Sequence, residues 1–485
     1  MNIFQKVRKE ADRPLLTYSF AGKGSDSLYE YLYKCIKNDI LSRDLAAGTR
    51  LPSKRGFAKN LGISVITVEN AYAQLQAEGY IYSLPKKGYY VNAIPAGDGV
   101  LPPGPATAAR RDTPEDGAVR DDLVSPPTRP DLFPFSIWTR LTREVLGDGY
   151  DDLLRPSPGG GVMALRVAIA DYLRQFRDMR VAPEQIVVGA GTEYLYGLIV
   201  QLLGFDRVYA VENPGYKKLA QIYRSHRVAC RYVAMDGEGV AIPALEASGA
   251  DVLHISPGHH FPTGIVTPVG RRYELLGWAA REDSRFIIED DFDSEFRMTG
   301  RPIPMLQTID VSEKVIYMNT FSKSLSSTIR ISYMVLPPRL AARFYENLSF
   351  YNCTVSTFEQ TILARFIEEG YFEKHIGRSR NHYKNVRNEL LRLIKKSPLA
   401  AVAAVTGEDA GLHFLMHLDT GLSDEEIREA ARRQQIRVAC LSDYELTDQK
   451  TDTGTLVMNY SGLGEDGLED FVERLSRALV GNSEA

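Results

Sequence analysis

Between residues 26 and 42 the apolar positions fall at Leu28, Leu32, Ile36 and Ile40, one per helical turn, behind an Asp/Ser cap signal. That spacing predicts an amphipathic helix. Ser53 then opens a short helix, KRGFAKNLG, which Gly62 stops. A second helix is expected over ISVITVENAYAQLQAEGY, with Val68, Ala71, Tyr72 and Leu75 on one face and Gly79 at its end. The stretch YIYSLPKKGYYVNAI alternates on both sides of Pro85-Lys86-Lys87-Gly88, a hairpin pattern with a basic tip. Helix, short helix, turn, helix, hairpin is the order of a winged helix-turn-helix, placed at residues 14–93. From 94 to 130 the chain is proline-rich and has no apolar period, so an extended, exposed linker is expected. Over 131–485 helical stretches alternate with short apolar runs: QIVVGAG, RVYAVENPG, DVLHISPG, RFIIEDD, VIYMNTFS and ISYMVLPP. This predicts an α/β unit with a mixed, mostly parallel sheet, covering helices and a smaller C-terminal α/β lobe, its site on the loops at the strand carboxyl ends.

Composition adds a division of charge. The 485 residues exceed what one core usually serves. Net charge is −4, but residues 1–95 hold 14 Lys and Arg against 8 Asp and Glu, about +6, which leaves about −10 for the rest. A small basic unit joined to a large acidic one is expected if only the first meets phosphate. Cys35, Cys230, Cys353 and Cys440 lie too far apart in sequence for a disulfide framework or a zinc site, so no metal is expected. No apolar run approaches 18 residues and the first residues lack a signal-peptide core, so a cytoplasmic location is expected.

In a helix-turn-helix the second helix presents residues near its N-terminus to base edges while flanking groups fix phosphates. Ser64, Thr67 and Asn70 are the polar residues on that helix, Lys54 and Arg55 lie on the one before it, and Lys86 and Lys87 tip the wing. The block resembles the GntR-type winged helix through LPSKR (51–55) and TVENAYAQLQAEG (67–79). The resemblance implies double-stranded DNA as partner.

The larger unit carries a second set. Asp290 ends an apolar run, so a strand would push its carboxylate past the sheet edge, with Asp291 and Asp293 as alternatives. Lys323 follows VIYMNTFS, with hydroxyls at Thr320 and Ser322 before it and Arg330 seven residues on. Gly189, Gly191 and Thr192 offer bare amides at a helix start, and Tyr216 in ENPGY offers an aromatic face. A lysine for an aldehyde, a carboxylate for a pyridine nitrogen and several anion donors suit pyridoxal 5'-phosphate. The segments ENPGY, HFPTG (260–264), IIEDDFDSEF (287–296), NTFSKSL (319–325) and RISYMVLPP (330–338) resemble fold-type I aminotransferases. Joined to the GntR-type block they resemble the MocR, or GabR-type, regulator family. By that likeness Lys323 is the Schiff-base lysine, Asp290 pairs with the pyridine nitrogen and Arg330 holds the phosphate.

Two departures bear on chemistry. Phe292 stands where relatives carry a tyrosine that bonds the cofactor's 3-oxygen, and His260, where a glutamine is usual, is expected to compensate in part. The arginine that clamps a substrate carboxylate near the chain end is replaced at the aligned position by Gly462, leaving Lys218 as the candidate point charge for an effector anion. The expectation is a homodimeric, ligand-responsive DNA-binding regulator on paired half-sites, sensing pyridoxal phosphate, a small amine or an amino acid. The alternatives are an active aminotransferase with an accessory DNA-binding arm, and a scaffold that has lost the cofactor.

Overall fold

The computed structural model describes residues 16–20, 26–94, 119–147, 150–298, 304–446 and 453–481. It divides into two compact units, Met1–Thr113 and Pro114–Ala485. In the first, helix α1 (Leu28–Leu41) is capped by Ser27 and buries Leu32, Ile36 and Ile40. Helix α2 (Lys54–Leu61) starts on Ser53 and ends at Gly62, whose left-handed φ of 67° favours glycine. Helix α3 (Val65–Ala77) turns Val68, Ala71, Tyr72 and Leu75 onto the same core. Strands β1 (Ile81–Leu84) and β2 (Gly88–Val91) form the antiparallel wing, with Leu84 opposite Gly88.

The larger unit begins, among the described residues, with an interaction that the sequence pattern did not show. Strand β3 (Asp121–Asp122) pairs in parallel with β14 (Ile436–Arg437), and Leu123 beyond it is buried in the main core. Arg474 binds Asp121, and Arg437 reaches Asp122 at 3.1 Å. The expected linker therefore extends too far: its last residues belong to the folded unit, while 95–118 lie outside the described residues.

Eight strands form the central sheet: β4 (Ile186–Gly189), β5 (Val208–Asn213), β6 (Ala229–Asp236), β7 (Gly239–Val240), β8 (Val252–Ile255), β9 (Phe286–Asp291), β10 (Val315–Thr320) and β11 (Ser332–Val335). Their order is β4-β11-β10-β9-β8-β5-β6-β7, with β11 and β7 antiparallel to their neighbours and the rest parallel. Ile287, Ile288, Val187 and Val188 are fully buried, as central strands covered on both faces require. Helix α4 (Met163–Arg177) buries Leu165, Ile169 and Leu173, and helix α5 (Thr192–Leu203) runs from the end of β4. A long helix, α6 (Tyr371–Lys396), leads into an antiparallel sheet ordered β12-β13-β15 (Ala403–Thr406, His413–Leu418, Thr455–Asn459). That is the smaller lobe. No helix among the described residues is long and apolar enough to cross a membrane.

Candidate functional site

The N-terminus of α3 is built by its own hydroxyls. Ser64 Oγ accepts from the Thr67 backbone N–H at 3.1 Å and lies 2.8 Å from the Thr67 hydroxyl. Both residues expected at base edges thus spend hydrogen-bonding capacity on the cap, while Asn70 stands exposed one turn on. Lys54 is diverted from the phosphate role expected of it. Its Nζ binds Glu69 at 2.6 Å and lies 5.5 Å from the centre of the Tyr89 ring, fastening α2 and the wing to α3. Arg55, Lys86 and Lys87 are exposed, and Lys86 takes a left-handed φ of 61° in the wing turn. Ile66, an apolar residue that the polar pattern of the helix does not mark, is 68% exposed in the first turn of α3.

In the larger unit β4, β5, β8, β9 and β10 run the same way, so the loops beyond their carboxyl ends collect on one edge of the sheet. Asp290 lies one residue from the end of β9, opposite Met318 of β10. Its Oδ2 accepts from the Tyr196 hydroxyl at 2.6 Å and lies 3.4 Å from His254 Nε2. Its Oδ1 is buried with no partner. Such an acceptor is costly unless a donor reaches it, and a protonated pyridine nitrogen is a donor of that kind. The carboxylate therefore fits the cofactor implied by the motifs. Asp291 instead accepts from Tyr317 at 2.7 Å and Ser294 at 2.6 Å, and Asp293 meets His259 Nδ1 at 2.9 Å.

Lys323 follows β10 in one helical turn, Phe321–Ser324, and lines an open cavity with Ser322, Arg330, His375, Tyr383 and Ser461. Protein packed around it lowers its pKa below the usual lysine value, against the opposing pull of Asp293. A lysine so shifted reaches its nucleophilic neutral form more readily. Thr320 Oγ1 accepts from the Ser322 N–H at 3.1 Å and from the Ser332 hydroxyl at 2.8 Å, which leaves its own hydrogen for an anion. Ser322, expected to serve an anion as well, donates to the Ile329 carbonyl at 3.0 Å.

Gly191 precedes Thr192 at the start of α5 with φ of 89°, and a Cβ there would fall 2.6 Å from the Arg330 guanidinium. Glycine lets that cation lie against the helix start, where amides and charge together make an anion cradle. Arg330 lies 3.6 Å from Glu193, and the same carboxylate binds Lys218. Lys218 is thus a paired cation rather than the free point charge expected for an effector. Tyr216 is half-exposed and within electrostatic reach of Lys218, Glu193 and Asp290.

The expectation for His260 changes. Its Nδ1 meets the Thr263 hydroxyl at 2.7 Å and its Nε2 lies 3.4 Å from Glu212. Both ring nitrogens thus already face protein partners, and Phe292 neighbours His259, ring centres 6.4 Å apart. Burial holds the His260 pKa down to about 3. Burial, with the charge of Asp290, raises Glu212 to about 8. At the chain end a Cβ on Gly462 would meet Pro126 at 2.5 Å, so no larger side chain fits. A guanidinium reaches this corner from elsewhere: Arg129 borders Gly464, held by Asp131 through bonds of 3.1 and 2.9 Å. His259, Asp293 and His413 could geometrically meet a metal ion. Burial, with His259, His260 and Lys323 nearby, holds the His413 pKa well below the usual histidine value, so its imidazole is neutral.

Residues 28–91 match the family of bacterial regulatory proteins, gntR family, and residues 151–475 match aminotransferase class I and II. The chain is 34% identical to the uncharacterized HTH-type transcriptional regulator YdeL of Bacillus subtilis (strain 168), over 93% of this chain and 96% of that one. It is 30% identical to the probable rhizopine catabolism regulatory protein MocR of Rhizobium meliloti, over 93% and 94%. This chain belongs to the MocR-type transcription regulators. Like others of that family it joins a GntR-type helix-turn-helix to an aminotransferase-like domain of a class that typically binds pyridoxal phosphate. The solved multiple substrate aminotransferase of Thermococcus profundus is similar to the larger unit of this MocR-type chain, with 25% identity, a TM-score of 0.65, and 76% of this chain and 92% of that one covered.

Proposed function

We propose that this MocR-type regulator binds operator DNA as a homodimer on paired half-sites, and that its larger unit holds pyridoxal phosphate on Lys323 and senses that cofactor, an amine or an amino acid. The observation that carries the cofactor assignment is the buried, unpartnered Oδ1 of Asp290. Pyridoxal phosphate, when bound, supplies an aldehyde and an electron-withdrawing ring to which amines attach. Lys323 provides the amine, Asp290 holds the proton on the ring nitrogen, and Tyr216 offers a face for the ring. Arg330, the amides at Gly191 and Thr192, and the Thr320 hydroxyl hold the phosphate. Phe292 donates nothing to the ring oxygen, and Gly462 leaves no arginine side chain at that position for a bidentate carboxylate clamp. Sensing is therefore favoured over sustained amino-group transfer.

The test combines spectroscopy with DNA retention. Purified protein given pyridoxal phosphate should show an absorption band at the visible edge, which borohydride removes and which Lys323→Ala lacks. The same protein should retard DNA from upstream of its own gene in preference to unrelated DNA. Failure to form the band overturns the cofactor assignment, and unselective retention overturns the operator reading.

A further inference from the structure

The outward face of α3 is unusual for a helix on a basic domain. Taking Val68, Ala71, Tyr72 and Leu75 as the buried side, a rotation of 100° per residue places Ile66, Asn70, Ala73 and Ala77 on the opposite side. All four are exposed, Ile66 to 68%. A solvent-facing stripe ordinarily carries charged residues. Here it carries one amide, one β-branched sec-butyl side chain and two methyl groups. The whole helix, VITVENAYAQLQA, contains a single charged residue, Glu69, which Lys54 holds at 2.6 Å. Val65, also in the first turn, is 41% exposed.

This composition restricts what the helix reads. The commonest specific base contact is a bidentate Arg or Lys on guanine, and α3 has neither. The exposed cations of this unit lie outside the helix, among them Arg55 on α2 and Lys86 and Lys87 on the wing. In the major groove an apolar side chain distinguishes one feature well, the C5-methyl of thymine, and an amide pairs best with adenine. Ala73 and Ala77, with only a methyl group each, add little height to this stripe.

We infer that the recognition helix reads an A·T-centred half-site, with Ile66 packing on a thymine methyl and Asn70 bonding the adenine edge. The inference rests on the operator-binding reading above and adds the base chemistry. Burying one methyl group corresponds to about a fourfold change in affinity. The effect is separable from the ionic one, because removing a thymine methyl leaves the number of neutralised phosphates unchanged.

The test uses full-length protein. Rounds of selection from random duplexes yield its preferred half-site, and fluorescence anisotropy then compares that site with copies carrying deoxyuridine for thymine at single positions. The expected result is a half-site with a T·A pair at its centre, about fourfold weaker binding on one uracil substitution, and an unchanged slope of affinity against salt. Ile66→Ala should abolish the thymine-over-uracil preference while leaving the melting temperature unchanged, and Asn70→Ala should relax the choice at the adenine. A half-site centred on G·C pairs, or binding indifferent to uracil at every thymine, overturns this inference and leaves operator binding standing. Selection that enriches no sequence overturns both.

Discussion

Asp290 offers one oxygen to Tyr196 and leaves the other buried and unpartnered. Replacing it should therefore be felt by the cofactor more than by the fold. Asp290→Asn keeps an acceptor for Tyr196 but removes the charge that stabilises a protonated ring nitrogen. Hydrogen bonds to charged groups contribute about 1.5–3 kcal/mol, so pyridoxal phosphate should bind about tenfold to a hundredfold more weakly in equilibrium dialysis. Phe292→Tyr runs the other way: a phenol donating to the ring oxygen favours its deprotonated form, so the pH midpoint of the visible band should fall. The motifs made these two residues legible. Glu193 and Arg129 were not, because each acquires its setting from residues distant in sequence: Lys218 and Arg330 for the first, the neighbouring Gly464 for the second. Ile66 carries no surface signal of its own, since an apolar residue on a helix suggests the core unless its angle places it opposite the buried face.

At the level of elements, α3 depends on its cap. Ser64→Ala removes an acceptor for the Thr67 N–H and should cost about 1 kcal/mol, lowering the melting temperature of the smaller unit by about 5 °C in calorimetry. Ser64→Asp should preserve that temperature while weakening DNA binding, because it adds a negative charge near the phosphates. The β3–β14 pairing is a second local dependence. Asp121→Ala leaves Arg474 with Asp470 at 2.9 Å and the Gln434 carbonyl at 2.7 Å, so the larger unit should melt within about 1 °C of the parent. Limited proteolysis, by contrast, should open the chain faster near residues 119–130. Six strands of the central sheet were readable as apolar runs bounded by turns. Strand β6 was not, because it lies beside the sheet's terminal two-residue strand and its ACRYVAMD has only Val233 fully buried. Strand β3 was not either: two aspartates carry no apolar signal, and only the partner strand makes them a strand.

For the molecule as a whole, buried titrating groups set the response to pH. Glu212 is raised to about 8 when folded, so its contribution is complete at low pH and is lost as pH climbs from about 4.5 through 8. His260 is lowered to about 3, so its contribution is present above about 6.5 and is lost as pH falls toward 3. The two trends oppose one another between 4.5 and 6.5; above that the Glu212 loss continues, joined up to about 7 by that of Glu289, which burial raises to about 7. The urea midpoint of the larger unit should therefore decline between pH 6.5 and 8, and Glu212→Gln should flatten the decline. Tryptophan fluorescence follows this unit alone, since Trp138 and Trp278 both lie in it. Glu193 gives the same unit another property. Its carboxylate already engages Arg330 and Lys218, so the cation at the head of α5 has a carboxylate partner within the protein. On the proposed reading, a phosphate that claims Arg330 would displace a resident anion, and the Glu193–Lys218 pair would carry that displacement to the protein surface.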